Sequence, residues 1–270
     1  VRSVWESTPA VGKHLAKLAS PVPGIGDANG GLMAFGVGID LPQLRNAIDA
    51  LLRYLAANGT DCELVDPERL QAITPQLNLA LGPMTAGMKG INLQVESLAL
   101  DPQTMMPSSL SAGLLAAVDD PRGILALGAM FNPAFAAVQV PEDGSFVALP
   151  TGLEEAGAPP VKVAIRDKAL LLLAGDASTQ LGEALGAAAV PQPAPLFAAD
   201  YGIARLVDEF NPVMDQVLAR LESGGEADAA FELREQIQSF RLQARYFARV
   251  RGSMFAEQQG LVFEHAIELR

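Results

Sequence analysis

The chain has 270 residues, half of them apolar, with a formal charge of −12 and only 19% charged residues. Such a balance repels phosphate backbones and anionic lipid surfaces, so nucleic acid is discounted as a partner, and protein or neutral, apolar ligands are favoured. Cys62 is the only cysteine, which excludes an intrachain disulfide, a redox CxxC pair and a zinc knuckle, and the longest apolar run, Ala169 to Ala174, is far too short for a membrane span.

The chain opens at Val1 without an initiator Met or a signal-like segment, which is the expectation for a processed protein or a piece of a longer one. A capped helical stretch runs from Ser7 to Leu15, and the Pro/Gly-rich segment Pro21 to Gly31 reads as a linker. Leu32 to Ile39 predicts a strand. Asp40 then caps a helix whose Leu44, Ile48, Leu51, Leu52 and Leu55 recur at helical spacing, and Asn58-Gly59 stops it. A second helix begins at Asp66-Pro67-Glu68, carries Leu70, Ile73, Leu77 and Leu81, bends at Pro75 and ends near Gly87.

A hairpin of long strands follows, Gly90 to Leu100 and Ser109 to Val118, the first alternating Ile91, Leu93 and Val95 with Asn92, Gln94 and Glu96. Asp119-Asp120-Pro121 caps a helix to about Met130. Short strands are expected at Phe146 to Leu149, Val161 to Ile165 and Ala169 to Leu173, then a helix from Ser178. Strand Leu196 to Ile203 leads into a helix bearing Leu206, Phe210, Val213, Val217 and Leu221. Ser223-Gly224-Gly225 breaks it, a further helix carries Phe231, Ile237, Phe240, Ala244 and Phe247, and a hairpin, Arg249 to Ala256 and Gly260 to Leu269, ends the chain.

The order strand, helix, helix, hairpin thus occurs twice. Leu32, Ala34, Gly38 and Ile39 match Leu196, Ala198, Gly202 and Ile203 at a spacing of 164 residues, Val11 to Leu15 in the first capped helix matches Leu181 to Leu185 in the helix from Ser178 at 170, and Lys89-Gly90 matches Arg251-Gly252 at 162. These matches predict an α+β fold of internally duplicated strand-helix-helix-hairpin units, a largely antiparallel sheet with helices packed on one side. They divide the chain into 1–31, the remnant of a preceding unit, a longer unit at 32–190 and a shorter one at 191–270.

Few residues point to chemistry. His14 and His265 lie far apart in sequence and read as structural or surface histidines, no GxSxG elbow occurs, and Ser109-Leu110-Ser111-Ala112-Gly113 lacks its first glycine. Gly24 to Gly31 follows a helix and precedes a strand, the reverse of a phosphate-binding loop. Asp27, Asn29, Asp61 and Asp66 lack a calcium loop's ligand series, and Asn58-Gly59-Thr60 fits a helix stop better than a glycosylation site. No cofactor or metal is expected.

Arg234, Arg241, Arg245, Arg249 and Arg251 form the only basic concentration, with Arg241 and Arg245 as candidate ligand-binding residues, although cations at a helix C-terminus also oppose the macrodipole. Met84, Met88, Met105, Met106 and Met130 cluster in one stretch, and Met105-Met106 occupies the proline-flanked loop Asp101 to Pro107, a candidate partner-binding tip.

The duplicated pattern, with Gly38-Ile39-Asp40-Leu41-Pro42 opening a helix and Val161 to Leu173 reading as strand, turn, strand before a capped helix, resembles uncharacterised proteobacterial envelope proteins, several of them lipoproteins. The resemblance implies a periplasmic or outer-membrane-tethered location and assigns no functional residue. The expected function is a non-enzymatic envelope binding or scaffolding module for a protein or apolar ligand. The alternative is a carboxylate-based periplasmic hydrolase whose site, drawn from Asp40, Asp200 and Glu264, assembles only in the fold.

Overall fold

The two strands matched in sequence, β2 (Met33–Gly38) and β8 (Phe197–Tyr201), lie side by side and antiparallel at the middle of the sheet. Phe35 stands opposite Ala199, its equivalent at the 164-residue spacing, and the rings of Phe35 and Phe197 meet edge to face at 5.1 Å. The architecture comes from a computed structural model, which describes all residues except 28–29, 59–84, 86, 102–106, 153–156 and 176–178. The expected helix from Asp66 to Gly87, Cys62, Met84 and the Met105-Met106 loop tip therefore lie outside the described residues.

The described chain is α+β. Its elements are β1 (Arg2–Glu6), α1 (Pro9–Leu15), β2, α2 (Leu41–Asn58), β3 (Met88–Leu100), β4 (Pro107–Val118), α3 (Pro121–Phe131), a 3₁₀ turn (Pro133–Ala137), β5 (Val147–Leu149), β6 (Val161–Arg166), β7 (Ala169–Gly175), α4 (Thr179–Ala187), β8, α5 (Ile203–Ser223), α6 (Ala227–Tyr246), β9 (Phe247–Glu257) and β10 (Gly260–Leu269). All ten strands join one antiparallel sheet in the order β1-β10-β9-β8-β2-β3-β4-β7-β6-β5. Strand β1, unread in the sequence, pairs with the last strand of the chain.

Helices cover both faces of the sheet, not one. Residues two apart on a strand share a face, so Gly113, Leu115 and Ala117 of β4 look one way and Leu110, Ala112 and Ala116 the other. Leu181 and Leu185 of α4 pack with Leu115 and Ala117 on the first face. On the second, Leu206 and Phe210 of α5 pack around Ala112, and Ile124 and Leu125 of α3 around Ala116. The cause is the unbroken apolar run at β7, where Leu170 and Leu171 are both buried on opposite faces and leave neither face free for water.

The segment read as a linker is core. Val22 and Ile25 are 0% and 1% exposed and belong to the same apolar cluster as Leu171, Leu185 and Ala198. They cross β2 where it carries only glycine: a Cβ on Gly36 would stand 2.3 Å from Cγ1 of Ile25, and one on Gly38 would stand 2.5 Å from the carbonyl of Ser20. The backbone is tied down as well. Ser20 N–H donates to Gly38 O (3.1 Å), Asp40 N–H to Leu18 O (2.9 Å) and Gly24 N–H to Ala189 O (2.9 Å), while the amide of buried Asn92 donates to Pro23 O (3.0 Å).

The hairpins correspond less closely than the sequence match predicts. Val37 and Tyr201 face Ile91 and Val250 respectively, a spacing of 159 between the facing residues, so Arg251-Gly252 sits three positions away from the place equivalent to Lys89-Gly90. A register shift in β3 between Val95 and Ser97 adds to the mismatch. Side-chain pairs that look alike in sequence are thus not structurally equivalent.

Candidate functional site

Among the described residues the most deeply buried ionisable group is Asp200 on β8, 2% exposed. Its Oδ2 accepts from Arg249 Nη1 at 2.8 Å and lies 3.6 Å from Arg251 Nε, and its buried Oδ1 has no hydrogen-bond partner among the described residues. Arg249 also donates through Nη2 to Gly31 O (2.9 Å), and Arg205 donates to Gly30 O (2.6 Å) and Glu96 O (3.0 Å). Two guanidiniums thus fasten the carbonyls of the glycine-rich segment to strands and helix far away in sequence. The arrangement is an anchor for residues 30 and 31, which satisfies carbonyls that an L-residue helix or strand would have satisfied itself.

The three carboxylates proposed to converge do not meet. Asp200 and Glu264 share a sheet face, on either side of Arg251, but Glu264 is half exposed and spans to Arg2 Nε at 3.6 Å. Asp40 lies six residues along from Ala34, the residue opposite Asp200, which at strand rise is roughly 20 Å away. There it caps α2 by accepting from Gln43 N–H at 3.0 Å and lies 3.9 Å from Lys89 Nζ. The histidines also lie on different elements: α1, with His14, packs where Gln258 begins the turn into β10, whereas His265 is in the middle of that strand, five residues past Gly260. Among the described residues no group of three or more His, Cys, Asp or Glu is placed to hold a metal ion.

The arginine concentration is dispersed into ion pairs. Arg241 bridges the two long helices, donating to Asn211 Oδ1 (2.8 Å) and Asp215 Oδ1 (2.7 Å) on α5, and Arg234 pairs with Glu222. Arg249 and Arg251 serve Asp200, and Arg251 also reaches Glu268 at 3.7 Å. Arg245 is exposed on α6, one turn beyond Arg241. No basic patch results.

A groove of about 420 Å³ opens between Pro21, Pro23, Val190 and the turn at Arg166-Asp167-Lys168. Its rim alternates in sign, Asp40, Lys89, Asp119 and Lys168 lying 3.3–3.9 Å apart in sequence around it. Lys89 and Lys168 each have a carboxylate beside them, and Arg166 donates through Nε to Gly144 O (3.2 Å) and lies over the Phe146 ring.

The apolar surface lies elsewhere. Helix α6 buries Ala230, Ile237 and Ala244, spaced by seven, against its neighbours. Small side chains at that spacing let α5 approach closely. Of the apolar residues read on this helix, Phe231 and Phe240 are exposed, and Phe231, Leu242 and Tyr246 lie along one outward stripe at 60%, 53% and 61% exposure. Of the methionines placed in the structure, Met88 packs in the core beside Val118, while Met130 and its neighbour Phe131 project from the end of α3. The sequence signal for the α6 stripe was present, since its apolar residues fill more of the helix circumference than one buried face can use.

No helix among the described residues is long and apolar enough to cross a membrane. In comparisons with protein-family models, curated proteins and solved structures, nothing matches this chain.

Proposed function

We propose that this protein is a non-enzymatic binding or scaffolding module of the bacterial envelope, and that its partner surface is the outer stripe of α6. The observation that carries the reading is the exposure of Phe231, Leu242 and Tyr246 on one line of a helix whose opposite side is packed. Large aromatic and aliphatic side chains held on a rigid helix are the anchors of helix-mediated protein recognition. The polar groups support the same reading, because Asp200, Asp40, Arg234, Arg241, Arg249 and Arg251 are engaged in anchoring contacts. The envelope location rests on the resemblance of the sequence pattern.

We also infer that the fold arose by duplication of an interlocked unit. Phe35 opposite Ala199 marks a pseudo-two-fold point, and the strands outward from it correspond in order: β8, β9, β10, β1 on one side and β2, β3, β4, β7 on the other. Each helix that follows the fourth strand, α1 after β1 and α4 after β7, then leads into a central strand, through a largely buried connection after α1 and a largely exposed one after α4. In this scheme residues 1–31 supply the outer strand of the C-terminal half.

The double variant Phe231→Ser, Leu242→Ser tests the binding surface. Each substitution is expected to change the unfolding free energy by no more than about 0.5 kcal/mol, as for surface positions, while partner retention on an affinity column falls at least tenfold. A loss of several kcal/mol in urea titration, or unchanged retention, contradicts the reading.

A further inference from the structure

The two edges of the sheet are made differently. Counting outward from the β2/β8 pair, the fourth strand on one side, β7, carries β6 and β5 beyond it. The fourth strand on the other side is β1, and among the described residues no strand lies beyond it. All five of its residues are exposed, Trp5 at 67%. Such an edge is a template for another strand.

The backbone alternation says which groups are on offer. His265 N–H donates to Val1 O (2.8 Å) and Ser7 N–H to Gln259 O (2.8 Å), so the odd residues of β1 bond to β10. In an antiparallel ladder the N–H and C=O of the residues between them, Arg2, Val4 and Glu6, then point away from the sheet. The side chains at these three positions share one face and read positive, apolar, negative.

We propose that β1 pairs antiparallel with β1 of a second copy of this chain, with Val4 on the two-fold axis, joining two sheets edge to edge. In that register Arg2 stands opposite Glu6 of the second copy and Glu6 opposite its Arg2, and every outward backbone group of the three residues finds a partner. The charge pattern selects the register: sliding by two residues sets Arg2 against Val4 or Val4 against Glu6, and sliding by four sets like charges together. A closed two-fold pair also removes the exposed edge without generating an open fibre. Arg2 now lies 3.2 Å from Glu257 and 3.6 Å from Glu264, but its side chain is 54% exposed, and exposed ion pairs of this kind exchange at little cost.

Sedimentation velocity on the full chain, with the cysteine replaced by serine (Cys62→Ser), tests the pairing. The expected result is a species of twice the 28.3 kDa chain mass, weakened at least tenfold in dissociation constant by Glu6→Arg and by Val4→Pro, the latter removing an outward N–H that an edge strand can lose while still folding. A second measurement fixes the register. Directly opposed residues of a hydrogen-bonded pair lie about 5.5 Å apart at Cα, within disulfide reach, so Val4→Cys is expected to crosslink two copies on oxidation and Trp5→Cys is not. A monomer at every concentration up to about 100 times a micromolar dissociation constant, a dimer indifferent to Glu6→Arg, or crosslinking through position 5 rather than 4 overturns the proposal.

Discussion

Replacing Ile25 by alanine is expected to lower the unfolding free energy by about 2–5 kcal/mol, the cost of a core cavity. A residue in a surface linker would show a change near zero. Ile25 is 1% exposed and seats against Gly36 and the Leu171, Leu185 and Ala198 cluster. The void left by its removed methyl and methylene groups faces a strand that bears no side chain at position 36, so the surroundings have little with which to refill it. The complementary change, Gly36→Ala, drives a Cβ into Ile25 and is expected to destabilise by about 1–3 kcal/mol, as overpacking does. Combined with Ile25→Ala, that second change should cost less than it does alone, since the alanine at 36 then occupies the vacated space. Urea unfolding of the four proteins in the cycle checks both statements, and additive losses would place Ile25 away from Gly36.

Arg249→Ala is expected to cost about 3–5 kcal/mol, the range for removing one partner of a buried ion pair. Asp200 is left at 2% exposure with Arg251 Nε 3.6 Å away as its remaining cation, and Gly31 O loses its donor. Both effects act on the same segment. Removing the charge as well, in the pair Asp200→Leu, Arg249→Met, should recover much of the loss, because two well-packed apolar residues avoid the desolvation penalty that the ion pair carries. If Arg249→Ala and the apolar pair destabilise equally, the anchoring of Gly31 rather than the buried charge dominates, and the ion pair is incidental to stability.

The periodic elements were legible. Heptad-like and alternating apolar positions placed β2, α2, β3, β4, α3, β6, β7, β8, α5, α6, β9 and β10 close to where they form, because each element buries a face at its own period. Strand β1 was not legible. Its five residues, Arg-Ser-Val-Trp-Glu, are all exposed and gain their conformation from pairing with β10, more than 250 residues on. The burial of Val22 and Ile25 was hidden for a related reason: proline and glycine around them signal a loop, and only the bare backbone of β2 at Gly36 and Gly38 turns that loop into core.

The one-sided helix layer failed on evidence already in the chain. A run of five apolar residues at Ala169 to Leu173 cannot present a wet face, and it required cover on both sides of β7. The candidate sites were less legible than the fold. The arginines between 234 and 251 cluster in sequence, yet α6 and β9 turn them toward different carboxylates on α5, β8 and β10. On α6 the period alone offered two apolar stripes, and which one meets α5 is decided by the small residues Ala230 and Ala244, not by hydrophobicity.

The claim that α6 is the working surface is tested most directly by site-specific photo-crosslinking in intact cells, with a photoreactive residue in place of Leu242 and, in a parallel strain, in place of Glu183 on α4, which is exposed on a different element. The account predicts a discrete crosslinked species at position 242 that disappears when Phe231 is changed to serine, and none at position 183. Equal crosslinking at both positions, or a species at 183 alone, would contradict it.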